Sequence, residues 1–392
     1  MNASFLVNSV IDRYRTLAVA AAALLAVLSL YHLGKGFHAL IVEPGRAVDL
    51  QLRFFEIHAF WRVPVDNARA PRNEMGLEWD RGNYLPSSLV LGSVMIPPIG
   101  WPECRTYFGF VNVAALAAAV LAWVRLSRPA GPPPWLLVPA VLACSNFQHA
   151  LAFGQYSIVV VALLSCAVLF LHSGRTGATI SALVFATVKP VLCVPLFLSL
   201  FAYRKWKVAF GSCTIVGIIL VLGFALSDGT VAAHLRNYNS VGLESMARGF
   251  GLNTLLLGLG APRSWVTGIG LATVATLVFA LSWSRPALVD QDPLRFLALT
   301  AFAGRAWFPA FGHDNLLCIP MLVALQVRLY RRQNRLTASL AFLMGLSLWI
   351  PGRWMGVPAV ELSQWLVWLG AAAALCVEPS GAPDGGGQVQ PA

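Results

Sequence analysis

Residues 17–33 read LAVAAAALLAVLSLYHL, and this apolar run decides what kind of protein the chain forms. Arg13 and Arg15 precede the run, and Lys35 follows it without a small-residue cleavage site. A secretory signal peptide would carry such a site, so the alternative of a cleaved leader is less favoured. The pattern predicts an uncleaved first membrane span with its N-terminus in the cytoplasm.

The composition of the remaining chain agrees with a membrane protein. Hydrophobic residues make up 57% of the chain and charged residues 11%, and the mean hydropathy is +0.68. Soluble domains carry about 25% charged residues, so these apolar residues cannot all be buried in a soluble core. The 392 residues leave room for about 11–13 helices of about 20 residues each, with one sizeable loop. The sequence therefore predicts an all-α polytopic protein, with residues 1–377 in one transmembrane domain and a disordered tail over 378–392.

The net charge of +11 comes from basic residues at the ends of apolar runs. Three such groups are Arg125/Arg128, Arg204/Lys205/Lys207 and Arg328/Arg331/Arg332/Arg335. Basic residues in these places are typical of cytoplasmic loops, with anionic lipid headgroups as neighbours. No polar face exists on which nucleic acid could bind, so we expect membrane lipids as partners and no nucleic acid. The predicted location is the inner (plasma) membrane.

Two polar segments are predicted to form loops on the outer, periplasmic side. The first covers residues 35–87 and contains Asp49, and the second covers residues 227–263. Phe54 and Trp61 in the first loop favour short amphipathic helices on the membrane surface. The apolar stretch 89–99 that follows is too short to cross the bilayer, so it is predicted to dip into it.

Polar residues interrupt the apolar segments at a few points further along the chain. The interruptions include Gly154-Gln155, Lys189-Pro190 and His313-Asp314-Asn315. Charged residues at membrane depth are functional candidates, because a lysine at the bilayer centre costs about 2.5–3.5 kcal/mol. We interpret 135–172 as two helices that meet at a polar turn, and 178–203 as a broken hairpin around Lys189. These interruptions then fall on the same side as Asp49, which predicts a single site there.

At these residues the chain resembles the polyprenol-phosphate-mannose-dependent α-mannosyltransferases of glycosyltransferase family 87, which have a GT-C fold. The motifs that carry the resemblance are Val48-Asp49-Leu50, Tyr84-Leu85-Pro86, Gly154-Gln155-Tyr156-Ser157, Lys189-Pro190 and Gly312-His313-Asp314-Asn315. The chain departs from the family pattern at two places. Leu85-Pro86-Ser87 stands where a double proline usually follows the loop tyrosine, and Arg53-Phe54 replaces the tyrosine after the acid.

The resemblance implies that the protein transfers a sugar, with mannose as the first expectation, from a polyprenyl phosphate. The acceptor would be a hydroxyl of a glycolipid or glycan on the outer face, and the anomeric carbon would be inverted. Such a reaction needs a base beside the acceptor hydroxyl, and Asp49 takes that role by its place in the motif. The alternative is that Asp49 caps a helix or pairs with Arg46 or Arg53.

The leaving group is a lipid phosphate, so cations must meet its developing negative charge. Lys189 and His313 are the candidates for donor binding, assisted by Arg305 or Arg248. Gln155 would hydrogen-bond sugar hydroxyls, and Asp314 would orient His313. Tyr84 marks the end of the first loop.

Each of these residues also has a structural interpretation. Lys189 can snorkel to the membrane interface, His313 can be a hydrogen-bonded turn histidine, and Gly154-Gln155 can form a tight break between helices. No DxD motif or other acidic cluster and no Cys/His ligand spacing is visible, so we expect no metal and no cofactor. Other functions also stay open: transfer of arabinofuranose, glucose or an aminosugar, a transporter or flippase, and a structural membrane subunit.

Overall fold

The computed structural model describes residues 3–43, 45–63, 85–128, 131–227, 231–232, 251–307, 312–332, 334–350 and 357–377. Every regular element within these ranges is a helix, which confirms the predicted all-α class. The helices are α1 (Ala3–Ile41), α2 (Val48–Phe60), α3 (Pro86–Met95), α4 (Trp101–Leu126), α5 (Pro134–Leu142), α6 (Asn146–Phe153), α7 (Ser157–His172), α8 (Thr176–Ala186), α9 (Pro190–Ala202), α10 (Trp206–Leu226), α11 (Leu252–Gly258), α12 (Arg263–Ser284), α13 (Leu288–Gln291), α14 (Pro293–Trp307), a 3₁₀ helix (Gly312–Cys318), α15 (Ile319–Arg332), α16 (Arg335–Trp349) and α17 (Pro358–Val377).

Five of the described helices are long and apolar enough to cross a membrane. The candidate spans are Thr16–Ile41, Trp101–Leu126, Trp206–Leu226, Trp265–Ser284 and Ala359–Val377. Helices α5 and α6 make a sixth candidate if they count as one span bent by 53°. The sequence-based number of about 11–13 is larger because it includes the shorter apolar helices, several of which end at polar residues.

Helix α1 runs parallel to α5 and α6, and α4 runs parallel to α7. The Ser29 hydroxyl of α1 donates to the Pro139 carbonyl of α5 at 3.2 Å, so α1 runs alongside α5 and α6. The indole Nε1 of Trp123 in α4 donates to Ser165 of α7 at 2.9 Å, and Phe108 contacts Tyr156 nearer the start of both helices. The end of α1 and the starts of α2, α4 and α7 therefore lie together. We call this side the Asp49 end.

Helices α8 and α9 form the predicted broken hairpin. Helix α10 runs parallel to α8, because Gly211 near its start lies against Ile180. Gly223 near its end lies against Pro86 of α3, close to the contact between α3 and the end of α8 at Thr187. The start of α8 and the end of α9 are therefore on one side of the bundle, and the turn between them is on the other. We call the side opposite the Asp49 end the basic end, defined by Arg125, Arg175 and Lys205.

Helix α2 is buried, so the prediction of a surface helix is wrong for it. Leu50, Phe54 and Ile57 are at most 2% exposed. The charged residues of α2 can also be buried, because Arg53 pairs with Glu56 within the same helix. Burial on both faces excludes the one-sided contact with lipid that an amphipathic surface helix would make.

Two further boundaries differ from the predicted ones. Helix α1 continues to Ile41 rather than ending before residue 35, because Arg105 of α4 donates to the carbonyls at its end, including that of Ala39 at 2.9 Å. The segment 135–172 contains three helices, since α6 is a separate short helix between two polar breaks. Tyr84, most of the predicted loop 227–263 and the tail 378–392 lie outside the described residues.

Candidate active site

The start of α2 is held against the turn between α6 and α7. The amide of Ala47, which has a left-handed backbone with φ 59°, donates to the Ala152 carbonyl at 2.8 Å. Gly154 also has a left-handed backbone, with φ 69°, and a Cβ there would overlap the side chain of Leu50. Glycine is therefore required at this close approach. The contact places Asp49, in the first turn of α2, beside Gln155.

The amide of Gln155 bridges an acid and a cation. Its Nε2 donates to Oδ2 of Asp49, and its Oε1 accepts from Nζ of Lys189 at 3.5 Å. Asp49 and Gln155 are half-buried, and Lys189 is 9% exposed. The Asp49 carboxyl oxygen is therefore the acceptor in its contact with Gln155.

Lys189 lies immediately before Pro190, the first residue of α9, and pairs with an acid far along the chain. Its Nζ is 2.5 Å from Oδ1 of Asp314, and the Ser157 hydroxyl donates to the same oxygen at 2.6 Å. Nζ also lies 3.4 Å from the Ser157 hydroxyl. Burial would raise the pKa of the Asp314 carboxyl, but Lys189, His313 and Ser157 outweigh burial and lower that pKa well below its usual range. Asp314 therefore stays ionised opposite Lys189.

His313 lies next to this ion pair in the 3₁₀ helix, which is outside the candidate membrane spans. Its Nε2 is 3.6 Å from Oδ2 of Asp314, so the lysine is the closer partner of that carboxylate. Burial lowers the pKa of His313 to about 4, with Lys189 acting in the same direction and Asp314 in the opposite one. The imidazole is therefore neutral at pH 7.

Arg305 is a second buried cation, connected to the 3₁₀ helix. Its Nε donates to Oδ1 of Asn315 at 2.7 Å. Its guanidinium carbon is 5.3 Å from the ring centre of Trp365 and 5.6 Å from that of Trp368. Stacking on two indole rings compensates part of the cost of burying a guanidinium group.

The structure thus brings four of the predicted site residues into one connected set. This set, Asp49–Gln155–Lys189–Asp314, is referred to below as the polar chain. His313 adjoins its Asp314 end, and Arg305 is joined to the neighbouring Asn315. Tyr84 and Arg248 lie outside the described residues.

Sequence reasoning missed two contributors. Ser157 appeared only as part of a motif, although its place two residues after Gln155 puts it on the same turn. Asn146 donates from Nδ2 to the Gly312 carbonyl at 2.7 Å and fixes the start of the 3₁₀ helix. A polar asparagine within an apolar run was the available signal for it.

The two arginines that could have paired with Asp49 pair with other acids in the structure. Arg46 lies 3.1 Å from Glu43, and Arg53 pairs with Glu56. The N-cap residue of α2 is Ala47, and no side chain makes a capping hydrogen bond there. Asp49 instead contacts the amide that leads to Lys189. Among the described residues, no group of three or more His, Cys, Asp or Glu side chains is placed to hold a metal ion.

Comparison with known proteins gives a family match. The model of glycosyltransferase family 87 matches residues 92–309, which is more than half of the chain. The matched range includes Gln155, Lys189 and Arg305, whereas Asp49 precedes it and His313 follows it. No curated protein and no solved structure matches the chain.

Proposed function

Because the chain belongs to glycosyltransferase family 87, we propose that it transfers a sugar, mannose as the first candidate, from a polyprenyl-phosphate donor to a hydroxyl group of a glycolipid or glycan. The observation that carries this proposal is the polar chain, in which one amide connects the Asp49 carboxylate to a buried lysine. Only the Gln155 side chain separates the acid from the cation. This arrangement suits a reaction in which the acid removes a proton while the cation stabilises a phosphate leaving group.

Asp49 acts as the general base in this proposal. The acceptor oxygen attacks the anomeric carbon on the face opposite the phosphate, which inverts the configuration. A new carbon–oxygen bond forms, the bond to the phosphate oxygen breaks with its electron pair leaving on the lipid phosphate, and the hydroxyl proton passes to Asp49. Gln155 holds Oδ2 of the carboxylate, so Oδ1 is the oxygen that we assign to the proton.

Lys189 and Arg305 supply the positive charge on the donor side. The leaving phosphate gains negative charge as its bond to the sugar breaks, and cations already fixed in place stabilise it without reorganisation. Asp314 and Ser157 hold Lys189 in position. His313 is neutral, so its role is to hydrogen-bond the phosphate rather than to balance its charge.

The proposed orientation places the polar chain on the outer side of the membrane. Basic residues flank the helices at the end of the bundle opposite Asp49, where Lys205 pairs with Asp290 and Arg295 donates to the Cys376 carbonyl. An excess of Lys and Arg is typical of cytoplasmic ends. The N-terminus would then be cytoplasmic, and the acceptor would be modified on the outer face of the plasma membrane.

The test of the proposal is transfer of label by the purified protein in lipid bilayers. Radiolabelled polyprenyl-phosphate-mannose is supplied with a glycolipid extract, and wild type is compared with Asp49→Asn. Loss of a general base typically costs about 10²–10⁴-fold in rate, so we expect transfer by Asp49→Asn to fall by at least about 100-fold while donor binding stays within about twofold. Glu103→Gln is the matched control, because Glu103 is an exposed acid in the first turn of α4 at the same end.

Each other outcome contradicts a defined part of the proposal. Full activity of Asp49→Asn would remove the assignment of the base. Transfer only from a donor that carries arabinofuranose, glucose or an aminosugar would replace mannose. Movement of labelled lipid between leaflets without a new glycosidic bond would indicate a flippase instead.

A further inference from the structure

Three rings lie in a row beside the polar chain, and the proposed mechanism uses only the last of them. His149 and Phe153 of α6 stack with ring centres 6.3 Å apart and planes at 18°. Phe153 in turn lies 6.3 Å from the ring of His313, at 47°. Phe153 is 41% exposed and His149 is half-buried, so two of the three rings can contact a ligand. We call His149, Phe153 and His313 the ring row.

The ring row begins beside the reaction centre and leads towards α1. Phe153 directly precedes the Gly154-Gln155 turn, and His313 lies within electrostatic reach of both Asp49 and His149. Lys189 and Arg305 contact the 3₁₀ helix at Asp314 and Asn315, beyond His313. His149, at the other end of the row, lies instead within electrostatic reach of His32 and Lys35 of α1.

The far end of the ring row approaches α1. Gln148, the neighbour of His149, makes a hydrogen bond of 2.9 Å with His32 of α1, and Gly36 of α1 packs directly on Gln148. In the most apolar stretch of α1, only 17% of the residues are buried inside the protein. The row thus connects Asp49 to a helix that faces lipid, which is the side from which a membrane-bound substrate can enter.

The chemistry of the ring row matches a sugar ring. A pyranose presents an apolar face of C–H groups, which stacks on an aromatic face, and a polar rim of hydroxyl groups, which imidazole nitrogens can hydrogen-bond. Ligand sites generally combine such apolar surface with a few placed polar groups. An exposed phenylalanine between two imidazoles offers both.

We propose that Phe153 and His149 form the acceptor subsite, in which the saccharide ring of the acceptor stacks on Phe153 with its reacting hydroxyl directed to Asp49. This inference rests on the proposed transferase function and adds to it the residues that recognise the acceptor. The acceptor is thereby a glycoside with at least one sugar ring already in place, rather than a bare lipid alcohol.

The test compares Phe153→Leu with Phe153→Tyr, which keeps the ring. Aromatic stacking contributes about 0.5–1.5 kcal/mol, so Phe153→Leu should raise the KM for the acceptor by about two- to twelvefold. Phe153→Tyr should stay within about twofold of wild type. The KM for the donor should not change. Phe110→Leu is the matched control, because Phe110 is 71% exposed and lies on α4, whereas the ring row lies on α6 and the 3₁₀ helix.

A binding measurement separates this inference from the proposed function. Saturation-transfer NMR with methyl α-mannoside is recorded on the Asp49→Asn protein in nanodiscs, with and without Phe153→Leu. Suppose that the NMR signal depends on Phe153 but the wild-type protein transfers no sugar. This result would support the subsite and overturn the proposed reaction. An unchanged KM for the acceptor in a working transferase, a raised KM for the donor, or a signal that does not depend on Phe153 would each overturn the subsite.

Discussion

Gln155 is the residue on which the geometry of the site depends, since its amide contacts Asp49 and Lys189 together. Sequence reasoning could select both charges, because polar residues within apolar runs are conspicuous. It could not select their pairing. Asp314 was predicted to orient His313, yet its closest partner is Lys189, which is 125 residues away in the chain. Only the packing of α7, α9 and the 3₁₀ helix brings these groups together.

The neutral state of His313 leads to a prediction about stability and pH. Its pKa is about 4 in the folded protein and about 6.5 in an unfolded chain. Between these values the unfolded state binds more protons, so the free energy of unfolding decreases as the pH falls from about 6.5 towards 4. One such group contributes a slope of up to about 1.4 kcal/mol per pH unit. Above pH 6.5 it contributes no slope.

The measurement is the thermal unfolding midpoint of wild type and His313→Gln between pH 5 and 7.5. The midpoint of wild type should fall more steeply on acidification, because glutamine does not titrate. Asp49, Lys189, Asp314 and His149, which all act on His313, are retained in the variant. Parallel profiles for the two proteins would contradict the burial of a neutral histidine.

At the scale of elements, the position of α2 decides where the proposed base, Asp49, lies. The sequence predicted a helix in this polar segment but placed it on the membrane surface. Helical periodicity alone does not distinguish a face turned to lipid from one turned to protein, because both are apolar. The position of α2 depends on Gly154, because a side chain at this residue would overlap Leu50 of α2. A glycine within an apolar run does not reveal its contact from the sequence.

A pair of glycine substitutions tests this docking contact. Gly154 and Gly174 both have a left-handed backbone, with φ 69° and 71°, but only at Gly154 does an added Cβ meet another side chain. Gly174→Ala should cost only backbone strain, about 1–2 kcal/mol. Gly154→Ala should cost more and should also lower transfer by at least about tenfold, because it displaces α2 and Asp49. The checks are thermal unfolding and the transfer assay, and equal effects of the two substitutions would refute the docking role.

At the scale of the whole molecule, the bundle has two chemically different ends. The polar chain lies at one end, and most basic flanks lie at the other. This division could be predicted from the sequence, because basic residues that flank an apolar segment can be recognised without knowing how the helices pack. The number of full spans was predicted less well. Helices α8 and α9 have only 11 and 13 residues, yet they are apolar and belong to the same bundle as the full spans.

The proposed orientation predicts which end a reagent can reach from outside the cell. Arg46 is exposed at the Asp49 end and Gly174 is exposed at the basic end. In intact cells a membrane-impermeant maleimide should label Arg46→Cys, whereas Gly174→Cys should be labelled only after permeabilisation. The unsubstituted chain gives the background, because Cys213 and Cys376 are also exposed. The reverse labelling pattern would invert the orientation and place the reaction in the cytoplasm.

The length of the α8–α9 hairpin bears on how deep in the membrane Lys189 lies. Helix α9 has 13 residues, so it is about 20 Å long at about 1.5 Å per residue. The hydrocarbon core of a bilayer is about 30 Å thick. If the foot of the hairpin lies at the inner interface, Lys189 at its tip lies about 10 Å below the outer one. A lipid phosphate would have to sink by that distance to reach the lysine, so the thickness of the membrane itself would set part of the barrier to catalysis.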